Sequence, residues 1–283
     1  MTALFDATFL RELEALHEAV LRLRGSTGEG LTRSGRSAGQ TEFRGHRPYT
    51  LGDDVRRLDW NAYGRLGRLF VREFERERKE HLTLLLDDSR SMAAGDPPKE
   101  RFARRAAAAA GFLALKSGGT TSLCGGVQLE GASRFARWLD VLRAAEPQAG
   151  STLARRILAA AAVARAPSDL WVISDFLEPL AAIEPLAALA RRRCAVTLVQ
   201  VLAPQELAPS QRGTLDLHGL EEDETLRLEL DASSLAAYRA ELERHLEQME
   251  ALALRHGWTY ALAPSNSDLR SLFTGALQAG AAP

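Results

Sequence analysis

The chain has 283 residues, enough for one large domain or a domain with a substantial accessory region. Its 36 Lys and Arg against 37 Asp and Glu leave a net charge of -1, which removes any compositional argument for a nucleic-acid or anionic-membrane partner. A hydrophobic share of 46% is ordinary for a globular protein, and no apolar run approaches the ~18 residues of a membrane span.

In chain order, Phe5, Phe9, Leu13, Leu16, Val20 and Leu23 recur at helical spacing and predict an amphipathic helix, ended by Gly25, that docks on the rest of the protein. Asp6, Arg11, Glu12, Glu14 and Glu18 interrupt its apolar pattern, so it lacks the core of a signal peptide. From Gly25 to Gln40 the residues are mostly Gly, Ser, Thr and Arg, which predicts a loop. Within it Gly30 to Ser37 approximates a phosphate-binding loop. Arg36 stands where that motif needs Lys, and no apolar strand precedes it, so the reading is rejected.

The block from Thr41 to Lys79 contains Arg47, Tyr49, Gly52, Asp53, Asp54, Arg56, Asp59 and Trp60, followed by an alternating run through Phe70 and Val71. Asp53 and Asp54 suit a turn entering a helix, with Arg56 and Arg57 as ion-pair partners, better than a metal or acid/base pair. The Arg excess here is interleaved with acids and reads as a solvated or protein-facing surface.

Leu82 to Leu86 is a short apolar run that stops at Asp87, with Ser89 and Ser91 following. Such a run predicts a buried parallel strand delivering polar side chains to its carboxyl end, where open α/β sheets bind ligands. One carboxylate and two hydroxyls at alternate positions of a tight loop can face a hard cation. The same residues can equally cap the next helix. Beyond them come a predicted helix from Lys99 to Ser117, a strand from Thr121 to Gln128, a short antiparallel edge strand from Gly131 to Phe135 and a helix from Phe135 to Ala145. Thr152 then opens an Ala-rich helix, Leu153 to Arg165, and Leu170 to Ser174 is a second apolar run ending in an acid, Asp175.

A helix from Pro179 to Arg193 and a strand from Ala195 to Leu202 continue the alternation. A hairpin of Thr214 to His218 with Thr225 to Leu230 surrounds the acidic turn Glu221 to Glu224. A helix from Ser234 to His256, a strand from Trp258 to Leu262 and a helix from Ser267 to Leu277 close the chain. Strands alternating with helices of this length predict an α/β fold with a doubly wound, mostly parallel sheet (residues 81 to 283) behind an N-terminal helix and accessory region (residues 1 to 80). The two cysteines, Cys124 and Cys194, lie in apolar runs and read as buried free thiols, which fits a reducing cytoplasm. The six histidines show no metal-ligand spacing.

With this order and spacing, Asp87, Ser89, Ser91, Thr152 and Asp175 resemble the metal-ion-dependent adhesion site of the von Willebrand factor A domain. The one departure is Phe176, where many such domains have Gly. The accessory block resembles the domain of unknown function 58 proteins, which carry that segment before a von Willebrand A-like domain. The resemblance implies a Mg2+ site, or one for another divalent ion such as Mn2+ or Ca2+. Ser89, Ser91 and Thr152 would touch the ion directly at roughly 2.0 to 2.1 Å if it is magnesium, with Asp87 and Asp175 acting partly through water. Two carboxylates with three hydroxyls would leave such an ion electrophilic and suited to capturing an acidic side chain of another protein, which points to a protein-binding module rather than an enzyme. The family resemblance implies the context: an adaptor for a MoxR-type AAA+ ATPase or its client, in protein remodelling or cofactor insertion. A metal-dependent hydrolase using the same ion is the alternative. Neither Ser89 nor Ser91 sits in a nucleophile-elbow context, and Ser89 lacks the acid that an Asp-x-Asp phosphotransferase requires.

Overall fold

The computed structural model describes residues 4–26, 42–50, 58–75, 81–145, 153–163, 168–190, 194–209, 213–218 and 225–280. The chain opens with α1 (Ala7–Ser26), which runs one residue past Gly25. An antiparallel pair, β1 (Glu42–Pro48) and β2 (Phe70–Glu75), brackets the short helix α2 (Trp60–Leu66). Asp59 caps α2 by accepting from the Asn61 and Ala62 amides, and Gly67, at φ +64°, ends it in the left-handed conformation that glycine adopts without strain.

The main sheet is then built in order. Its elements are β3 (His81–Leu86), α3 (Lys99–Lys116), β4 (Thr120–Leu123), β5 (Leu129–Glu130), α4 (Phe135–Ala144), α5 (Leu153–Val163), β6 (Ser168–Ser174), α6 (Ala187–Ala190), β7 (Cys194–Leu202) and α7 (Pro204–Leu207). A separate antiparallel hairpin, β8 (Gly213–His218) with β9 (Thr225–Leu230), precedes α8 (Ala232–His256), β10 (Thr259–Pro264) and α9 (Leu269–Gly280).

The sheet has six strands in the order β10-β7-β6-β3-β4-β5, all parallel but β5. The predicted parallel set, from Leu82, Leu170, Ala195 and Trp258 onward, therefore lies in one sheet. Strand alternation divides its side chains between two apolar layers. Leu82, Leu84 and Leu86 of β3, Ile173 of β6, and Val199 and Val201 of β7 face α1, α3, α4 and α9. Leu85, Leu170, Val172, Val196 and Leu198 face α5 and α8. Helices thus cover both faces, as a parallel sheet requires.

The amphipathic stripe of α1 is buried in the first layer through Phe9, Leu13 and Leu16, and Arg105 on α3 meets both Glu12, at 2.5 Å, and the Phe9 ring. Among the described residues no helix is long and apolar enough to cross a membrane. Cys124 and Cys194 are both free thiols.

Two local expectations are corrected. The edge strand is Leu129–Glu130 rather than Gly131 to Phe135, because Gly131 turns the chain at φ +80° into a 3-10 turn, Ala132–Arg134. Over residues 179–190 the predicted helix is instead two 3-10 turns, Leu180–Ala182 and Glu184–Leu186, followed by α6, and the remainder to Arg193 lies outside the described residues. Pro185 has no amide hydrogen to donate to an α-helical ladder, which favours the broken path. The phosphate-loop look-alike, Asp53, Asp54, Arg56 and the turn Glu221 to Glu224 lie outside the described residues.

Candidate functional site

The parallel strands are added outward from β3 in two directions: β4 on one side, then β6, β7 and β10 on the other. That reversal opens a crevice between β3 and β6 at their carboxyl ends, the place where open α/β sheets take ligands. Asp87 and Asp175 follow those two strands directly.

Asp87 continues the ladder by one step, its amide donating to the Ile173 carbonyl at 2.9 Å. Its carboxylate is held by neutral donors: the Ser89 amide at 2.9 Å and the Ser174 hydroxyl at 2.5 Å. The chain then winds into a 3-10 turn, Arg90–Ala93, pinned by the buried Met92. This turn brings the Ser89 and Ser91 hydroxyls within 2.9 Å of each other. Two adjacent ligands of an octahedral ion with arms of roughly 2.1 Å stand about 3 Å apart, so these oxygens fit neighbouring positions around magnesium.

Asp175 is held differently. One carboxylate oxygen accepts from the Lys99 ammonium at 2.9 Å and the other from the Leu177 amide at 3.4 Å. Its backbone carbonyl accepts from Gln200 at 2.8 Å. Phe176 follows at φ +51°, a backbone conformation that favours glycine, with its ring fully buried in the second apolar layer. Phe176 therefore combines a backbone conformation that favours glycine with a hydrophobic anchor directly behind Asp175. The Phe176 amide donates to the Ser174 hydroxyl, which itself donates to Asp87, so the two strand ends are tied through one serine.

Lys99, the first residue of α3, has a wholly buried side chain and also reaches Glu206 on α7 at 2.6 Å. Burial opposes its charge, but Asp175 and Glu206 more than offset this and raise its pKa above the ordinary lysine value. Glu206 in turn accepts from the Ala203 amide at 2.6 Å, while its backbone carbonyl accepts from the Tyr238 hydroxyl of α8.

Thr152 lies outside the described residues. Its neighbour Leu153 donates its amide to Glu178 at 2.8 Å, so the start of α5 is fastened to the loop that carries Asp175. Arg156 of α5 pairs with Asp88, fastening the same helix to the β3 loop. Among the described residues no three His, Cys, Asp or Glu side chains gather as a metal cluster. The oxygens that Asp87, Ser89, Ser91 and Asp175 bring to this edge are carboxylates and hydroxyls, a donor set for a hard cation rather than a soft one.

The sequence singled out Asp87, Ser89, Ser91 and Asp175, which the fold places at the carboxyl ends of β3 and β6, and it did not single out Ser174, Lys99 or Glu206, which hydrogen-bond or pair there. One signal was available for Lys99: a cation in the first turn of a helix opposes the helix dipole and calls for a carboxylate nearby.

A protein-family model described as "Protein of unknown function DUF58" matches residues 45–249. An uncharacterized protein of Mycobacterium bovis and others of Mycobacterium tuberculosis are 31% identical over 219 residues, covering 70% of this chain and 68% of theirs. Among solved structures, the conserved hypothetical protein BatB of Bacteroides thetaiotaomicron aligns at a TM-score of 0.43 and 13% identity, covering 71% of this chain and 98% of its own. A von Willebrand factor type A protein of Catenulispora acidiphila aligns at a TM-score of 0.39 and 11% identity, covering 73% of this chain and 43% of its own. The family match spans most of the chain, from the accessory block through the sheet to α8: this protein belongs to the DUF58 family.

Proposed function

We propose that this chain is a protein-binding module that works through a divalent cation, magnesium in the first instance, at the carboxyl edge between β3 and β6. The observation that carries the reading is the convergence of the Ser89 and Ser91 hydroxyls at 2.9 Å beside an Asp87 carboxylate already oriented by Ser174 and the Ser89 amide. Ser89 and Ser91 would hold the ion directly, together with Thr152, while Asp87 and Asp175 would contribute their charge from just outside.

A bound ion with so few carboxylates would stay electrophilic and supply a coordination position for an oxygen ligand. An acidic side chain of another protein suits that position. Among the described residues the Ser89 hydroxyl has the Ser91 hydroxyl as its hydrogen-bond partner rather than a base, which favours binding over nucleophilic catalysis. On this reading the chain is an adaptor for a MoxR-type AAA+ ATPase or its client.

The test has two stages. A ligand that binds only the folded state stabilises it by ~2.7 kcal/mol at a hundredfold excess over Kd, so magnesium should raise the melting temperature of the purified chain by several degrees. Ser89→Ala with Ser91→Ala should abolish that rise. A purified MoxR-type ATPase should then be retained on the immobilised chain with magnesium, released by chelator, and not retained by Asp87→Ala. Metal-dependent hydrolysis of phosphoesters or peptides by the chain, lost in Asp87→Ala, would overturn the adaptor reading in favour of a hydrolase.

A further inference from the structure

Lys99 belongs to no motif in the sequence, yet its ammonium is enclosed at the centre of the site's electrostatics. It lies 2.9 Å from Asp175 and 2.6 Å from Glu206, with no solvent exposure of its side chain. A buried lysine is costly unless opposite charges surround it, and here two carboxylates do so. The consequence for a divalent ion is direct. Asp175, one of the two acids at the crevice, already carries a positive charge on one of its oxygens. Among the described residues Asp87 is held by neutral donors, the Ser89 amide and the Ser174 hydroxyl.

We propose that Lys99 is a resident counter-cation that sets the affinity of this site by holding Asp175, with Glu206 as the seat onto which the ammonium leans when a divalent ion draws on Asp175. The proposal rests on the cation reading above. The shorter contact to Glu206 means that the lysine needs no new partner in order to loosen its hold on Asp175. Glu206 itself is well anchored, since its second carboxylate oxygen accepts from the Ala203 amide. Lys99 therefore acts as a positioning residue through Asp175.

The two partners of Asp175's charge then have opposite effects on metal affinity. Removing the ammonium frees Asp175 and strengthens binding; removing the Glu206 charge leaves Lys99 wholly on Asp175 and weakens it. A residue serving only to support the fold would not produce opposite signs, because losing either partner would loosen the same structure.

The experiment is calorimetric titration of magnesium chloride into the full chain and its variants, with near-ultraviolet circular dichroism to verify folding. Lys99→Met should bind magnesium about tenfold tighter or more, since a like charge beside a shared carboxylate has been removed. Glu206→Gln should bind several-fold more weakly. If Lys99→Met does not fold, the double variant Lys99→Met with Glu206→Gln, which removes one charge of each sign, should still bind more tightly than Glu206→Gln alone. Binding detected only after loss of Lys99 would also support the proposal. Equal affinity in all folded proteins, or loss of binding in a folded Lys99→Met, would overturn it while leaving the cation site standing. No binding by any of them would overturn both the proposal and the cation reading beneath it.

Discussion

The loops after β3 and β6 begin alike in sequence, each an apolar strand halted by an aspartate, yet the fold treats the two acids differently. Asp87 receives an amide and a hydroxyl, whereas Asp175 receives a buried ammonium. Neutral donors orient a carboxylate and leave its charge available. An ammonium orients it and cancels much of that charge. The same local pattern thus produces one acid held by neutral donors and one paired with a buried ammonium, so the two strand ends differ in charge.

The sharpest way to break this contrast is at the lysine. Lys99→Met leaves Asp175 and Glu206 without their shared partner, and breaking a buried ion pair from one side costs about 3–5 kcal/mol. Urea unfolding should register that loss; a loss below about 1 kcal/mol would mean that solvent reaches the cluster and the contrast is weak.

Of comparable size is the hydrophobic anchor behind Asp175. Phe176→Ala should destabilise by about 3–5 kcal/mol through the lost ring. Phe176→Gly loses the same ring but relieves the positive φ, so its cost should be smaller by about 1 kcal/mol. If glycine proves worse than alanine, the left-handed turn is not what the β6 loop depends on.

On the other side of the crevice the effect should be milder. Asp87→Ala strands the Ser174 hydroxyl and the Ser89 amide, worth about 1–3 kcal/mol, without opening an apolar cavity. Chemical denaturation of a folded, magnesium-insensitive variant would sharpen the comparison, and a loss as large as that of Lys99→Met would erase it.

The smallest effect is a slope with pH. The folded state holds the Lys99 proton more tightly than the unfolded chain, whose lysines titrate near 10.5. The ion pair's contribution is therefore complete below that value and declines as pH rises through the higher folded pKa. Burial also raises the pKa values of Tyr238 and Tyr260, and both tyrosines add to the decline in the same direction. Denaturant midpoints measured from neutral pH into the alkaline range should fall more steeply in the native chain than in Lys99→Met, and parallel curves would count against the lysine's part.

Where hydrophobic period and chain order carry the information, the sequence was a sound guide. The apolar runs of β3, β6 and β7 could be read as parallel strands because only a strand buried on both faces stays apolar at successive positions. The stripe of α1 was equally plain, since Phe9, Leu13 and Leu16 recur on one helical face. Prediction failed where a single residue redirects the backbone, as Gly131 does after β5 and as fits Pro185 between the two 3-10 turns.

By itself, then, the sequence determined the α/β class, the family, and the local Asp87, Ser89 and Ser91 set, because strand period, motif order and alternate spacing within one loop are all short-range properties. Only the tertiary structure decided what the second acid faces. Lys99 meets Asp175 across 76 positions of sequence and Glu206 across 107, and no local period encodes such a meeting. It follows from the order in which β3, β6 and β7 lie side by side, which brings the start of α3 and the residues after β6 and β7 to one edge of the sheet. Burial of Lys99 and Asp175 shields their pair from water, while Glu206 meets the same ammonium from a partly exposed position.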